Sequence, residues 1–145
     1  MARAAFPALD GLGAELYGGR WNSRGRAVVY SASSPALAVL ETLVHVDPDD
    51  VPDDLRLMAI DLADGLSAER VALDALPEGW QAGLGHPACR AIGDDWIERG
   101  ATPLLVVPSA IVPEAENVLL NPRHPARAGM AGAASRPFSF DLRLL

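Results

Sequence analysis

No apolar run in this chain goes far before a charge, a glycine or a proline interrupts it. Each stretch stops short of the roughly 20 residues that a membrane-spanning helix needs. Residues 1–10 likewise hold no continuous apolar run that could serve as a signal-peptide core. The pattern predicts a soluble, cytoplasmic protein built from short elements. Its 145 residues suit one domain, 1–145, long enough to bury a sizeable core. Hydrophobic residues at 50% and charged residues at 21% place it among chains that fold. A formal charge of −7 repels phosphate backbones and anionic membrane surfaces, which argues against direct nucleic-acid or membrane partners. The single cysteine, Cys89, has no internal disulfide partner, and a thiolate metal site would need further sulfur ligands.

Gly11, Gly13, Gly18, Gly19 and Gly25 make the first twenty-six residues read as loop with short strand pieces rather than helix. Ala27 to Ser31 is β-prone, and Ser34-Pro35 supplies an N-cap followed by proline at the first helical position. A helix from Pro35 to about Val46 carries Leu37, Leu40, Leu43 and Val44 on one stripe, and Asp47-Pro48 ends it. Leu55 to Leu62 reads as a strand. A short amphipathic helix around Cys89, Ile92, Trp96 and Ile97 closes at Gly100. Pro103 to Pro108 reads as a buried strand, and Asn117 to Leu120 as a second. Phe138, Phe140, Leu142 and Leu144 alternate with polar residues, which predicts a terminal strand, and Arg123 to Arg136 reads as a mobile loop. More strands than helices, without strict β-α alternation, make the class α+β.

Several constellations fail on inspection. Gly11-Leu-Gly13 lacks the third glycine of a dinucleotide fingerprint, because position 16 is Leu and no hydrophobic strand precedes it. His45, His86 and His124 show no paired helical spacing, so no metal site is read. Ser109 follows a buried strand but lacks the glycines of a nucleophile elbow. Glu41 is more informative: it sits at the edge of the apolar stripe, one turn before His45, where a carboxylate is costly unless used or paired. Its bland reading is an ion pair with Arg20 or Arg24. Gly18-Gly-Arg-Trp-Asn22 is a relaxed turn beside a guanidinium and an indole, which a ligand could approach closely. The bland alternative has Trp21 plugging the core, Arg20 in solvent and Tyr30 as a core strand residue.

The ordered runs Gly18-Gly-Arg-Trp-Asn-Ser23, Val28-Val-Tyr-Ser31, Ala36-Leu-Ala-Val-Leu-Glu-Thr-Leu-Val-His45, Ile92-Gly-Asp-Asp-Trp96, Val106-Val-Pro-Ser-Ala-Ile-Val-Pro113 and Asn117-Val-Leu-Leu-Asn-Pro122 resemble the RES domain. The resemblance implies a fold similar to ADP-ribosyltransferases. It also implies the toxin half of a toxin–antitoxin pair, with an Xre-like helix-turn-helix antitoxin as partner. Family members consume NAD+ by hydrolysis or phosphorolysis of the nicotinamide bond, or by ADP-ribosyl transfer to a protein, with no permanently bound cofactor. Carried over, the family's arginine falls on Arg20, its tyrosine on Tyr30, its glutamate on Glu41, its serine on Ser109 and the following asparagine on Asn117. His45 matches a common family position, and Arg3-Ala-Ala-Phe6 matches the end of the usual first strand.

The chemistry suits these implied roles. Breaking the ribose–nicotinamide bond builds oxocarbenium character, which a facing carboxylate stabilises, and Glu41 would supply it. A guanidinium offers forked donors to diphosphate or ribose oxygens, and an aromatic ring can wall a nicotinamide pocket. These fit Arg20 and Tyr30. Ser109 and Asn117 would give neutral hydrogen bonds to the nicotinamide amide or ribose, or support the loops that do. Two alternatives stand beside NAD+ cleavage: mono-ADP-ribosylation of a host protein, and a non-catalytic binding module that keeps only the fold.

Overall fold

The computed structural model describes residues 2–3, 9–47, 49–83 and 85–144. Among the described residues, seven strands form two separate sheets and are joined by three α-helices and short 3₁₀ turns, so the class is α+β. The larger sheet runs β2 (Val29–Ala32), β6 (Glu116–Leu120), β5 (Leu104–Pro108) and β4 (Ala68–Arg70), antiparallel except for the β5–β4 pair. The smaller sheet runs β1 (Ala2–Arg3), β3 (Leu55–Leu62) and β7 (Met130–Pro137), all antiparallel. Arg3 thus lies on a strand, whereas residues 4–8, and with them most of the Arg3–Phe6 run, fall outside the described residues. So does Pro48.

Every residue of β5 is buried, as expected of a central strand whose sequence is continuously apolar. Its Leu105 and Val107 join Leu119, Val28, Cys89 and all three tryptophans, Trp21, Trp80 and Trp96, in one core cluster. Helix α3 (Pro87–Arg99) closes over that cluster through Cys89, Gly93 and Trp96, and ends at Gly100 in the left-handed region. Trp96 is fully buried and satisfies its indole N–H on Thr102. Helix α2 (Pro35–Leu43) begins as read: Ser34 accepts the Leu37 N–H at 3.2 Å, and Pro35 follows at the first position. It stops at Leu43, and Val44 is 55% exposed, so only Leu37 of the predicted stripe is buried.

Three readings of the sequence need correction. Leu12–Tyr17 forms a helix, α1, where loop was expected; Gly11 and Gly18, both at positive φ, punctuate its two ends rather than dissolving it. Residues 123–136 are not a loop, because Pro125–Gly129 is a 3₁₀ turn and Met130–Pro137 pairs with β3 in register Leu57↔Arg136 to Leu62↔Met130. The tail is not a strand: the Phe138 N–H reaches Leu55, where β3 begins, so nothing remains to pair with later residues. Phe138 and Phe140 instead stack edge to face at 5.3 Å, and Phe140 is buried.

Candidate active site

The Gly18-Gly-Arg-Trp-Asn22 segment closes into a tight turn, in which the Gly19 N–H donates to the Asn22 carbonyl at 2.9 Å. Its two central residues diverge. Trp21 is driven into the core, 2% exposed, with its ring 6.2 Å from that of Trp80. Arg20 lines a cleft of about 1130 Å³. The turn is held on every side. Asn22 is fully buried and its amide donates to the carbonyls of Ala14, Ser23 and Arg26. The Ser23 N–H and hydroxyl both donate to Asp94 on α3, at 2.8 and 2.6 Å. A Cβ on Gly93 would sit 1.8 Å from the Trp21 carbonyl oxygen, so only glycine lets the turn dock there.

Tyr30, on β2, is 38% exposed, yet its hydroxyl turns inward onto the same turn. It accepts the Trp21 N–H at 3.0 Å and donates to Asn22 Oδ1 at 2.7 Å. A Cβ on Gly19 would lie 2.5 Å from that hydroxyl. Desolvation pushes the phenol pKa well above its ordinary value, and the Asp94 charge adds to the rise against the Trp21 N–H and Arg20. Tyr30 is therefore a neutral donor that braces the Arg20 turn. Arg20 itself donates to the backbone carbonyls of Trp80 and Gly83, at 2.8 and 2.7 Å, and not to Glu41.

Across the cleft, α2 presents Glu41 and, beyond its end, His45. The Glu41 carboxylate pairs with neutral donors instead of Arg20 or Arg24. The Ser109 hydroxyl and the Asn117 amide both donate to Oε1, at 2.7 and 2.6 Å. Ser109 is fully buried, and its oxygen accepts the N–H groups of Ile111 and Val112, both at 3.1 Å. With both lone pairs engaged, its one proton has a single direction left, toward Glu41. Oε2 has no hydrogen-bond partner among the described residues and is not sealed from solvent.

The structure thus gathers Arg20, Tyr30, Glu41, His45 and Asn117 onto one cleft and sets Ser109 behind Glu41, outside the lining. Sequence reasoning missed Asn22 and Asp94 as supports. Both stood inside the recognised runs, but nothing in composition or periodicity distinguishes a buried amide that ties a turn from a surface one. It also missed Arg90, and considered Arg24 only as an ion-pair partner of Glu41; both line the cleft.

The fold is thus a two-sheet α+β domain in which a braced arginine turn faces a clamped carboxylate across one cleft. The chain belongs to the RES domain family, whose model matches residues 1–141. It is 42% identical over 139 residues to the Prs ADP-ribosylating toxin of Sphingobium sp. (strain YBL2), covering 94% of this chain and 86% of that protein. It is 46% identical over 115 residues to a Toxin Res of Photorhabdus laumondii (79% and 73% covered) and 38% identical over 145 residues to a Toxin Res of Yersinia enterocolitica (99% and 95%). Its fold matches a chain in the crystal structure of the M. tuberculosis MbcT–MbcA toxin–antitoxin complex with a TM-score of 0.77, covering 95% of this chain and 81% of that one, at 20% identity.

Proposed function

We propose that this chain is the toxin of a toxin–antitoxin pair, that it binds NAD+ in the cleft between the Arg20 turn and the Glu41 helix, and that it breaks the nicotinamide–ribose bond. One observation carries the reading: Glu41 is clamped through Oε1 by two neutral donors while Oε2 is left uncommitted. As nicotinamide departs, positive charge develops at the ribose C1′, and a preorganised carboxylate stabilises it without reorganising. Arg20 spends part of its donor fork on two carbonyls, which fixes the plane in which its remaining N–H groups meet ribose or phosphate oxygens. The Tyr30 ring walls the pocket, and Asn117 and His45 border it.

NAD+ serves as substrate here, and the action falls in the cytoplasm. The names of the relatives support the toxin assignment, and the toxin–antitoxin structure of like fold supports an antitoxin partner; its Xre helix-turn-helix type is what the family resemblance implies, and such a partner would make any DNA contact. A second reading is transfer of ADP-ribose to a protein, favoured by the name of the Sphingobium relative. Incubating the purified chain with NAD+, with and without phosphate and cell extract, and identifying the products separates these readings. Nicotinamide release with free or phosphorylated ADP-ribose supports cleavage, and label on protein only with extract supports transfer. NAD+ intact in every arm would leave only a binding module.

A further inference from the structure

Among the described side chains five arginines are ion-paired and six are not. Arg26, Arg70, Arg99, Arg123 and Arg143 each pair with a carboxylate. Arg20, Arg24, Arg56, Arg90, Arg127 and Arg136 have no carboxylate partner among the described residues; Arg56 and Arg136 donate instead to Ser135 and to the Pro137 carbonyl, whereas Arg20, Arg24 and Arg90 line the same cleft, where Glu41 is the sole acidic residue among the described lining side chains. Arg24 and Arg90 have neither an ion-pair partner nor a side-chain hydrogen bond among the described residues. In a molecule of net charge −7, gathering like charges without internal partners is unfavourable unless an anion joins them.

They sit on two sides of the Arg20 turn. A Cβ on Gly18 would meet Arg24 Cγ at 3.7 Å, which packs Arg24 along the start of the turn. A Cβ on Gly85 would lie 3.1 Å from an Arg90 guanidinium nitrogen and 3.1 Å from Arg20 Cα, which brings Arg90, on the first turn of α3, against the other side. Arg20 has already given donors to Trp80 and Gly83. Arg24 and Arg90 have given none.

We propose that Arg24 and Arg90 form the anion subsite of the cleft and hold the diphosphate of a dinucleotide, leaving Arg20 to orient the ribose near Glu41. The proposal rests on the NAD+ reading above and deepens it. The test is calorimetric titration of ADP-ribose, which carries the diphosphate and is not consumed, into wild type, Arg24→Gln, Arg90→Gln and Arg90→Lys. Arg127→Gln, an exposed arginine outside the cleft, serves as control. Each glutamine variant should weaken binding by about 10- to 100-fold, as for loss of a charge-assisted hydrogen bond. Arg90→Lys should recover part of the loss, and the control should bind like wild type. Inorganic pyrophosphate should compete with ADP-ribose on wild type and compete less on the glutamine variants. Wild-type affinity in Arg24→Gln or Arg90→Gln overturns the proposal. Failure of wild type to bind either NAD+ or ADP-ribose overturns the underlying reading instead.

Discussion

At Glu41 the two carboxylate oxygens have different surroundings. Oε1 is taken up by Ser109 and Asn117, and Oε2 is left for the cleft. A buried serine that accepts two backbone N–H groups and donates once is a positioning residue, because it touches the carboxylate and lies outside the cleft lining. Ser109→Ala should therefore lower kcat by on the order of tenfold, the equivalent of about 1.4 kcal/mol, with KM for NAD+ held within about twofold. A rise in KM at unchanged kcat would instead make Ser109 a substrate contact. Tyr30→Phe keeps the ring but strands the Trp21 N–H and removes the donor to Asn22. It should cost about 1–3 kcal/mol in urea unfolding, and an unchanged midpoint would show that the hydroxyl does not brace the turn. That Arg20, Tyr30, Glu41 and Asn117 belong together was legible only through the ordered runs, and the fold brings these four onto one cleft. The division of labour was not, since which donor faces Glu41 depends on β5 and β6 lying side by side, and their register, Val107↔Asn117, is not written in either segment.

Among the elements, those with their own local signals were readable. Ser34-Pro35, the uninterrupted apolar β5 and Gly100 after α3 each stand where the sequence put them. The two His-Pro pairs carry a signal of the same kind: His86 and His124 each accept an N–H two residues on through Nδ1, at 3.2 and 3.0 Å, and so cap the turns that begin at Pro87 and Pro125. Strand β7 was missed for a physical reason. Its small, largely exposed residues show no in–out alternation, and it is a strand only because β3 offers it a partner. The α3–turn contact is equally nonlocal. Gly93→Ala, ordinarily favourable in a helix by about 1 kcal/mol, should here push the Arg20 turn off α3, lowering the melting temperature and raising KM together. An unchanged KM in the folded variant would mean that the docking of Trp21 onto α3 does not set the cleft.

For the whole molecule, the two sheets differ in how they are held. The larger is packed under α3 and the tryptophan cluster, whereas in the smaller Leu55 is the one buried strand residue among the described ones, and a second cleft of about 990 Å³ lies between that sheet and β2. Amide exchange should show β5 and β6 protected to the global unfolding limit, with β7 exchanging through a cheaper local opening. Equal protection in both sheets would mean that they open as one unit. Among the described residues no helix is long and apolar enough to cross a membrane, and the site draws on α2, α3, β2, β5 and β6 within the larger layer. On the proposed function, this layer aims the Glu41 carboxylate at the breaking nicotinamide–ribose bond. Measuring nicotinamide release and NAD+ affinity together for Glu41→Gln tests it most directly. Affinity should stay within a few fold of wild type and release should slow by about 100-fold or more, whereas release at the wild-type rate from the folded variant would show that Glu41 does not act on the bond.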